Sequence, residues 1–208
     1  MGDDGAGRRA HWDRVYGARA PHEVTWYQPG LRGSLDMIDG LGLAPGARVV
    51  DVGGGASTLA RDLLDRGLAV TVLDVSPAAL DHARAALGPR AGDVTWIAAD
   101  VTAWEPEQRY DLWHDRAVFH FLTAAADRAA YAAAARRAVA PGGALVLATF
   151  ALNGPETCSG LPVVRYDGAA LVRALGDGFA LVRETREAHV TPRGGTQPFC
   201  RVLLRRTG

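Results

Sequence analysis

Residues 49–57 read Val49-Val50-Asp51-Val52-Gly53-Gly54-Gly55-Ala56-Ser57, and this stretch decides the fold. The β-branched residues at 49, 50 and 52 predict a buried strand, and the three glycines a turn too tight for side chains. The run STLARDLLDR (57–66) predicts a helix with Leu59, Leu63 and Leu64 on one face and Gly67 as its stop. A strand that ends in a glycine turn at the start of a helix is the layout of a nucleotide-type cofactor site at the edge of an α/β sheet.

The same alternation continues in both directions. Residues 47–52 form the first strand and 69–74 (AVTVLD) the second, and Ser76-Pro77 caps a helix to about Leu87. Further strands are expected at 93–99 and 109–114, then an alanine-rich helix from about 124 to 139. Pro141-Gly142-Gly143 turns the chain into a strand at 144–150, followed by a helix at 168–175 and strands at about 179–188 and 197–205. Short apolar strands separated by helices predict a parallel sheet covered on both faces. The last two strands are joined only by the loop HVTPRGGTQP (189–198) and should pair as an antiparallel hairpin. The expected fold class is therefore α/β: a Rossmann-like, seven-stranded, mostly parallel sheet with an antiparallel C-terminal hairpin and helices on both faces. Residues 1–46, with helices at about 8–18 and 31–41 around VTWYQPG, are too few for a second domain and read as a helical cap on a 47–208 domain.

Composition narrows the partners. The chain has 208 residues, 23 basic and 23 acidic, and every basic residue is arginine. A neutral chain has no overall electrostatic reason to seek nucleic acid or an anionic membrane. No apolar run approaches the ~20 residues that span a bilayer. The segment MGDDGAGRRAHWD (1–13) lacks the apolar centre of a signal peptide. Cys158 and Cys200 cannot build a disulfide framework, and a cytoplasmic location is expected. Histidines at 11, 22, 82, 114, 120 and 189 are scattered with no metal-ligand spacing, so no metal is expected.

The glycine turn itself selects among cofactors. A dinucleotide site wants G-x-G-x-x-G, and the third glycine position holds Thr58; a phosphate loop wants a lysine that is absent. What remains is an acid, then G-x-G, with Asp74 at the end of the second strand and Asp100 at the end of the third. Asp74 is placed to accept hydrogen bonds from ribose hydroxyls, and Val101 beside Asp100 to border an adenine. Asp51 stands where a ligand ammonium group would sit. Three carboxylates at the ends of adjacent strands suit a neutral or cationic nucleoside and suit a pyrophosphate poorly. Asp74 and Asp100 also read, more blandly, as helix caps or solvated loop residues.

With these residues, and with YDLWHDRAVFHFL (110–122) and APGGALVLATF (140–150), the chain resembles the class I S-adenosylmethionine (SAM)-dependent methyltransferases. The resemblance covers about residues 44–150, and the terminal hairpin fits the family fold. It implies SAM as cofactor, with Asp51, Gly53 and Gly55 flanking its methionine part, Asp74 and Val75 at the ribose, and Asp100 with Val101 at the adenine. Ser57 stands where many members carry a third glycine; it is small and can cap the helix.

Methyl transfer from a sulfonium is an in-line displacement, and a base is needed only for an acceptor protonated at neutral pH. His114 and Asp115, after the fourth strand, and His120 are the catalytic candidates. Asp115 and Arg116 read equally well as an ion pair, and His120 as a packing residue. Candidate substrate contacts are Tyr27 beside Trp26, Arg116, Cys158, Arg165 beside Tyr166, and His189, which leads into the hairpin loop with Thr191, Arg193 and Gln197. The expected function is methyl transfer to a nitrogen, oxygen or sulfur of a small molecule by a monomer or homodimer. A protein-lysine acceptor is the alternative, suggested by HWDRVYG (11–17). A SAM-fold binding protein or lyase-like catalyst is a further one, and a dinucleotide oxidoreductase comes last.

Overall fold

The computed structural model describes residues 5–208; the first four residues of the expected 1–46 cap lie outside the described residues. In chain order the strands are β1 (Arg48–Val52), β2 (Ala69–Asp74), β3 (Val94–Ala98), β4 (Tyr110–Arg116), β5 (Val139–Phe150), the two-residue β6 (Thr157–Cys158) and β7 (Leu161–Pro162), β8 (Phe179–Val190) and β9 (Thr196–Arg206). The helices are α1 (Gly5–Ala18), α2 (Arg32–Asp39), α3 (Leu59–Asp65), α4 (Pro77–Leu87), α5 (Ala125–Ala138) and α6 (Gly168–Leu175). Seven strands form one sheet in the order β3-β2-β1-β4-β5-β9-β8, and β6 pairs with β7 in a separate hairpin. The first five strands run parallel, β9 is antiparallel to both of its neighbours, and β8 therefore points the same way as the first five. The mostly parallel sheet with an antiparallel C-terminal hairpin is as the sequence predicts.

Strand periodicity builds a separate core on each face. Along β1, Val49 packs with Met37 and Ile38 of α2, Leu59 and Leu63 of α3 and Leu80 of α4. Its neighbour Val50 faces the opposite side, where Tyr131, Ala134 and Ala135 of α5 and Leu171 of α6 lie. The two faces alternate again on β4, with Leu112 in the α2–α4 core and Trp113 in the α5–α6 core. On the latter side the Trp113 indole N–H donates to the Tyr131 hydroxyl at 2.9 Å, and that hydroxyl donates to Asp115 Oδ2 at 2.6 Å. This buried chain fixes α5 to the end of β4.

Two boundaries differ from the sequence reading. The Pro141-Gly142-Gly143 turn lies inside β5, because the strand begins pairing at Val139 with Tyr110, slips register, and resumes at Ala144 with Leu112. The turn is thus a bulge in a longer strand. β4 runs on to Arg116, paired with Ala148 of β5, so Asp115 and Arg116 are strand residues with sides fixed by the pleat.

The glycine turn has no space for side chains. Gly53 has a φ of +68°, and a Cβ there would run into Val118 Cγ2. At Gly55 a Cβ would overlap the Ala79 Cβ and lie 2.7 Å from Asp74 Oδ2. Gly55→Ala should therefore destabilise the fold by about 1–3 kcal/mol, because the Ala79 Cβ, fixed directly to the α4 backbone, cannot swing out of the way. Tyr131→Phe should cost about 1–3 kcal/mol by leaving the Trp113 N–H without its acceptor. Urea unfolding measures both, and a Tyr131→Phe midpoint equal to wild type would show that the buried chain does not stabilise the fold.

Candidate functional site

The carboxyl ends of β1, β2 and β4, the loop after β3, and segments of the first 46 residues enclose two adjoining pockets. The first is lined by Asp74, Val75, Asp100, Val101 and Leu122, with Arg8, Trp12 and Tyr16 of α1 across from them. The second is lined by Asp51, Gly54, Ser57 and His114, with Tyr27 and Gln28 from the 24–30 loop. Tyr16, Trp26, Val52, Gly53 and Arg116 border both, so the pockets meet at the glycine turn.

Asp74 closes β2 with both oxygens engaged by backbone. Its Oδ2 accepts the Gly55 N–H at 3.1 Å and its Oδ1 the Ser76 N–H at 2.9 Å. Gly55 lines neither pocket; its missing side chain is what lets this hydrogen bond form. Burial pushes the Asp74 carboxyl up to about 6, against the pull of those two donors. Asp100 is held differently. The Arg8 Nε donates to its Oδ2 at 2.8 Å, and the Thr102 backbone N–H and hydroxyl donate to its Oδ1 at 2.9 and 2.7 Å. Burial works to raise its carboxyl, but the Thr102 and Arg8 hydrogen bonds outweigh it and hold the group below the usual range. Arg8 also donates to Thr102 and Asp127, which ties α1 to the rim of the first pocket.

Asp51 is the penultimate residue of β1, in direct register with His114 of β4. Its Oδ1 lies 2.7 Å from His114 Nδ1, and His114 Nε2 lies 2.9 Å from the Ser34 hydroxyl of α2. All three residues are buried. The other oxygen, Asp51 Oδ2, is buried without a hydrogen-bond partner among the described residues and sits where a Gly54 Cβ would be. An orphaned carboxylate oxygen beside a side-chain-free turn is the mark of a position built for a donor that the protein does not itself supply.

The three catalytic candidates separate. His114 lines the second pocket with both ring nitrogens engaged, which gives it the task of holding Asp51. Asp115, one residue on, points to the opposite face of the sheet. There it accepts the N–H groups of Val118 and Phe119 at 2.8 and 3.1 Å and the Tyr131 hydroxyl. Burial pushes its carboxyl up to about 6. It pins the turn after β4 and lines neither pocket, and it makes no ion pair with Arg116 among the described residues. His120 packs between Phe121 and Phe150 at 4.5 and 4.8 Å between ring centroids. Burial, with the nearby Arg116 charge, lowers it to about 3, so the ring is neutral, and it too lines neither pocket. These placements correct the reading of Asp115 and His120 as bases: the pleat and the packing turn both away from the cleft.

The substrate candidates also divide. Tyr27 lines the second pocket, Cys158 the first and Arg116 both. Arg165 lies elsewhere, donating to Glu156 at 2.9 Å and to the Gly154 carbonyl at 3.3 Å. His189 holds the 24–30 loop from beneath, with Nε2 2.7 Å from the Thr25 carbonyl and Nδ1 3.1 Å from Gln28. Both are thereby corrected as pocket contacts. Arg8, Gln28 and Ser34 are site residues that sequence reasoning missed. Trp12 and Tyr16 carry a signal in HWDRVYG, an aromatic pair four residues apart on one helix face.

Comparison with known proteins agrees with this geometry. Residues 49–143 match the methyltransferase domain family. The chain is 36% identical over 103 residues to trans-aconitate 2-methyltransferase of Streptomyces avermitilis, covering 48% of this chain and 37% of that protein. It is 29% identical over 110 residues to nodulation protein S of Rhizobium tropici, covering 53% of this chain and 46% of that one. The chain thus spans less than half the length of these curated relatives. In fold it is similar to the Burkholderia thailandensis 1,6-didemethyltoxoflavin-N1-methyltransferase solved with 1,6-didemethyltoxoflavin and S-adenosylhomocysteine. The TM-score is 0.69 at 22% identity, over 98% of this chain and 85% of that one. Residues 49–143 are therefore similar to the methyltransferase domain family, and the chain has the fold of the solved SAM-dependent methyltransferases.

Proposed function

We propose that the protein is a SAM-dependent methyltransferase acting on a small molecule. The observation that carries the reading is the set of carboxylates around one continuous cleft: Asp74 and Asp100 in the first pocket, and Asp51 with its orphaned Oδ2 in the second. The residues fit the cofactor. Asp74 with Val75 would take the ribose, Asp100, Val101 and Leu122 would border the adenine, and Asp51 Oδ2 would accept from the ammonium group beside Gly53 and Gly54. When bound, SAM supplies a methyl group already activated on a sulfonium. The chain's own residues then bind, align and exclude water, and alignment alone is worth up to about 7–11 kcal/mol.

None of His114, Asp115 and His120 offers an unengaged basic atom to the cleft, and the Cys158 thiol is pushed up to about 12 by burial. The reading therefore favours an acceptor whose nucleophile carries a free lone pair near pH 7. His114 acts as a positioning residue for Asp51. The relatives support a small acceptor, one named for trans-aconitate and another holding 1,6-didemethyltoxoflavin. HWDRVYG, which suggested a protein lysine, places Trp12 and Tyr16 in the pocket wall, a role that needs no protein substrate. We further read residues 5–46 as the cover of the cleft. A cytoplasmic location is supported by two free cysteines, and no helix among the described residues is long and apolar enough to cross a membrane.

Calorimetry tests the cofactor. S-adenosylhomocysteine should bind and NAD should not; the reverse would sink the reading. Asp74→Ala should weaken S-adenosylhomocysteine at least about tenfold through loss of charge-assisted hydrogen bonds. The ribose hydroxyls donate to an ionised carboxylate, and the free carboxyl titrates near 6. Wild-type affinity should therefore be constant above pH 7 and fall as pH drops through 6. Asp74→Asn should lose that pH dependence; an unchanged profile would assign the titration to another group. Release of S-adenosylhomocysteine from SAM with candidate acceptors separates a transferase from a binding protein.

A further inference from the structure

Arg116 borders both pockets and makes no ion pair among the described residues. It ends β4 and is followed by Ala117, whose φ of +73° is a strained, left-handed conformation for a residue with a Cβ. One guanidinium nitrogen, Nη1, donates to the Trp26 carbonyl at 2.9 Å, and the group stacks over the Phe199 ring at 4.7 Å. The other two, Nε and Nη2, are out of solvent contact and have no hydrogen-bond partner among the described residues. These two nitrogens share one edge of the planar group, the edge that presents two parallel N–H donors to a carboxylate.

The surrounding charges do not balance. The neighbouring Arg201 is already paired with Glu187 at 2.5 Å, and the second Glu187 oxygen accepts from Gln28 at 2.7 Å. Cys158, His120 and His189, the other titratable neighbours, are shifted by burial towards their neutral forms. One positive charge remains, with an unpartnered Nε–Nη2 edge, on a residue that borders both pockets. The wall beside it is aromatic: Trp12 meets Trp26 and Phe121 edge-on at 5.6 and 5.1 Å between ring centroids. An unpaired buried charge with unmade hydrogen bonds is costly, and an anion that fills the fork recovers that cost.

We propose that Arg116 is a specificity-determining residue that binds a carboxylate of the acceptor, so that the substrate class is a small acid with an apolar or aromatic body. This rests on the methyltransferase reading above. The acid lies in the Nε–Nη2 fork and its body lies against Trp12, Trp26 and Phe121. The fork is closed to water in the free protein, so entry requires the 24–30 loop, whose Trp26 carbonyl holds Nη1, to give way. Acceptor binding is therefore coupled to movement of that loop.

Benzoate and benzamide, equal in size and different in charge, are the probes, titrated by calorimetry with and without saturating S-adenosylhomocysteine. Benzoate should bind at least about tenfold more tightly than benzamide, and Arg116→Gln should abolish the difference. Arg116→Lys, which keeps the charge without the fork, should retain only part of it. S-adenosylhomocysteine affinity should change less than about threefold in Arg116→Gln. Equal binding of the two probes to wild type, or binding of neither, overturns the inference, and that comparison stands even if Arg116→Gln does not fold. A tenfold loss of S-adenosylhomocysteine in Arg116→Gln with the benzoate preference intact also overturns it, because the fork then serves the cofactor's own carboxylate. Failure of S-adenosylhomocysteine to bind wild type would instead sink the function proposed above, and the benzoate comparison without it would still decide the role of Arg116.

Discussion

The close approach at residues 53–55 is the constraint on which the cleft depends. Strand β1 has to turn away with Val118 against one side of the turn and Ala79 against the other, and neither position tolerates a Cβ. That closeness brings the Gly55 N–H onto Asp74, and so couples the end of β1 to the end of β2. It also leaves Asp51 Oδ2 the space that a side chain at 54 would fill. The carboxylates of the cleft hold their places because the turn between them is made of backbone alone.

The pleat of β4 distributes three consecutive polar residues among different tasks. His114 falls on the α2 face and is tied to Ser34 and Asp51; Asp115 falls on the α5 face and is tied to Tyr131 and the following turn. Arg116 reaches the strand's end, where both pockets meet. In an α/β sheet this division is obligatory, since successive side chains point to opposite faces.

The segment before β1 finishes the site. Arg8 neutralises Asp100, Trp12 and Tyr16 wall the first pocket, Ser34 completes the buried chain to Asp51, and Gln28 bonds to Glu187. The 24–30 loop is held from below by His189 of β8, so the outer strands of the sheet reach the cleft through this segment. The hairpin strand β8 reaches that loop because it runs parallel to β1, with its end on the same edge.

By itself the sequence determined the alternation of strands and helices, the antiparallel finish, the glycine turn and the acids at strand ends. Each of these is a local property: a period, a breaker, or a residue type at a fixed offset from a turn. The glycine spacing with Thr58 likewise counted against a dinucleotide. Only the tertiary structure decided which polar residues share a space. Ser34 and His114, or Arg8 and Asp100, lie 80 and 92 residues apart in the chain, and no periodicity connects them. The roles of His114, Asp115, His120 and Arg116 depended on strand register and on which helix covers which face. Those are set by the packing of the two cores as a whole, which is why local pattern could propose these residues and could not assign them.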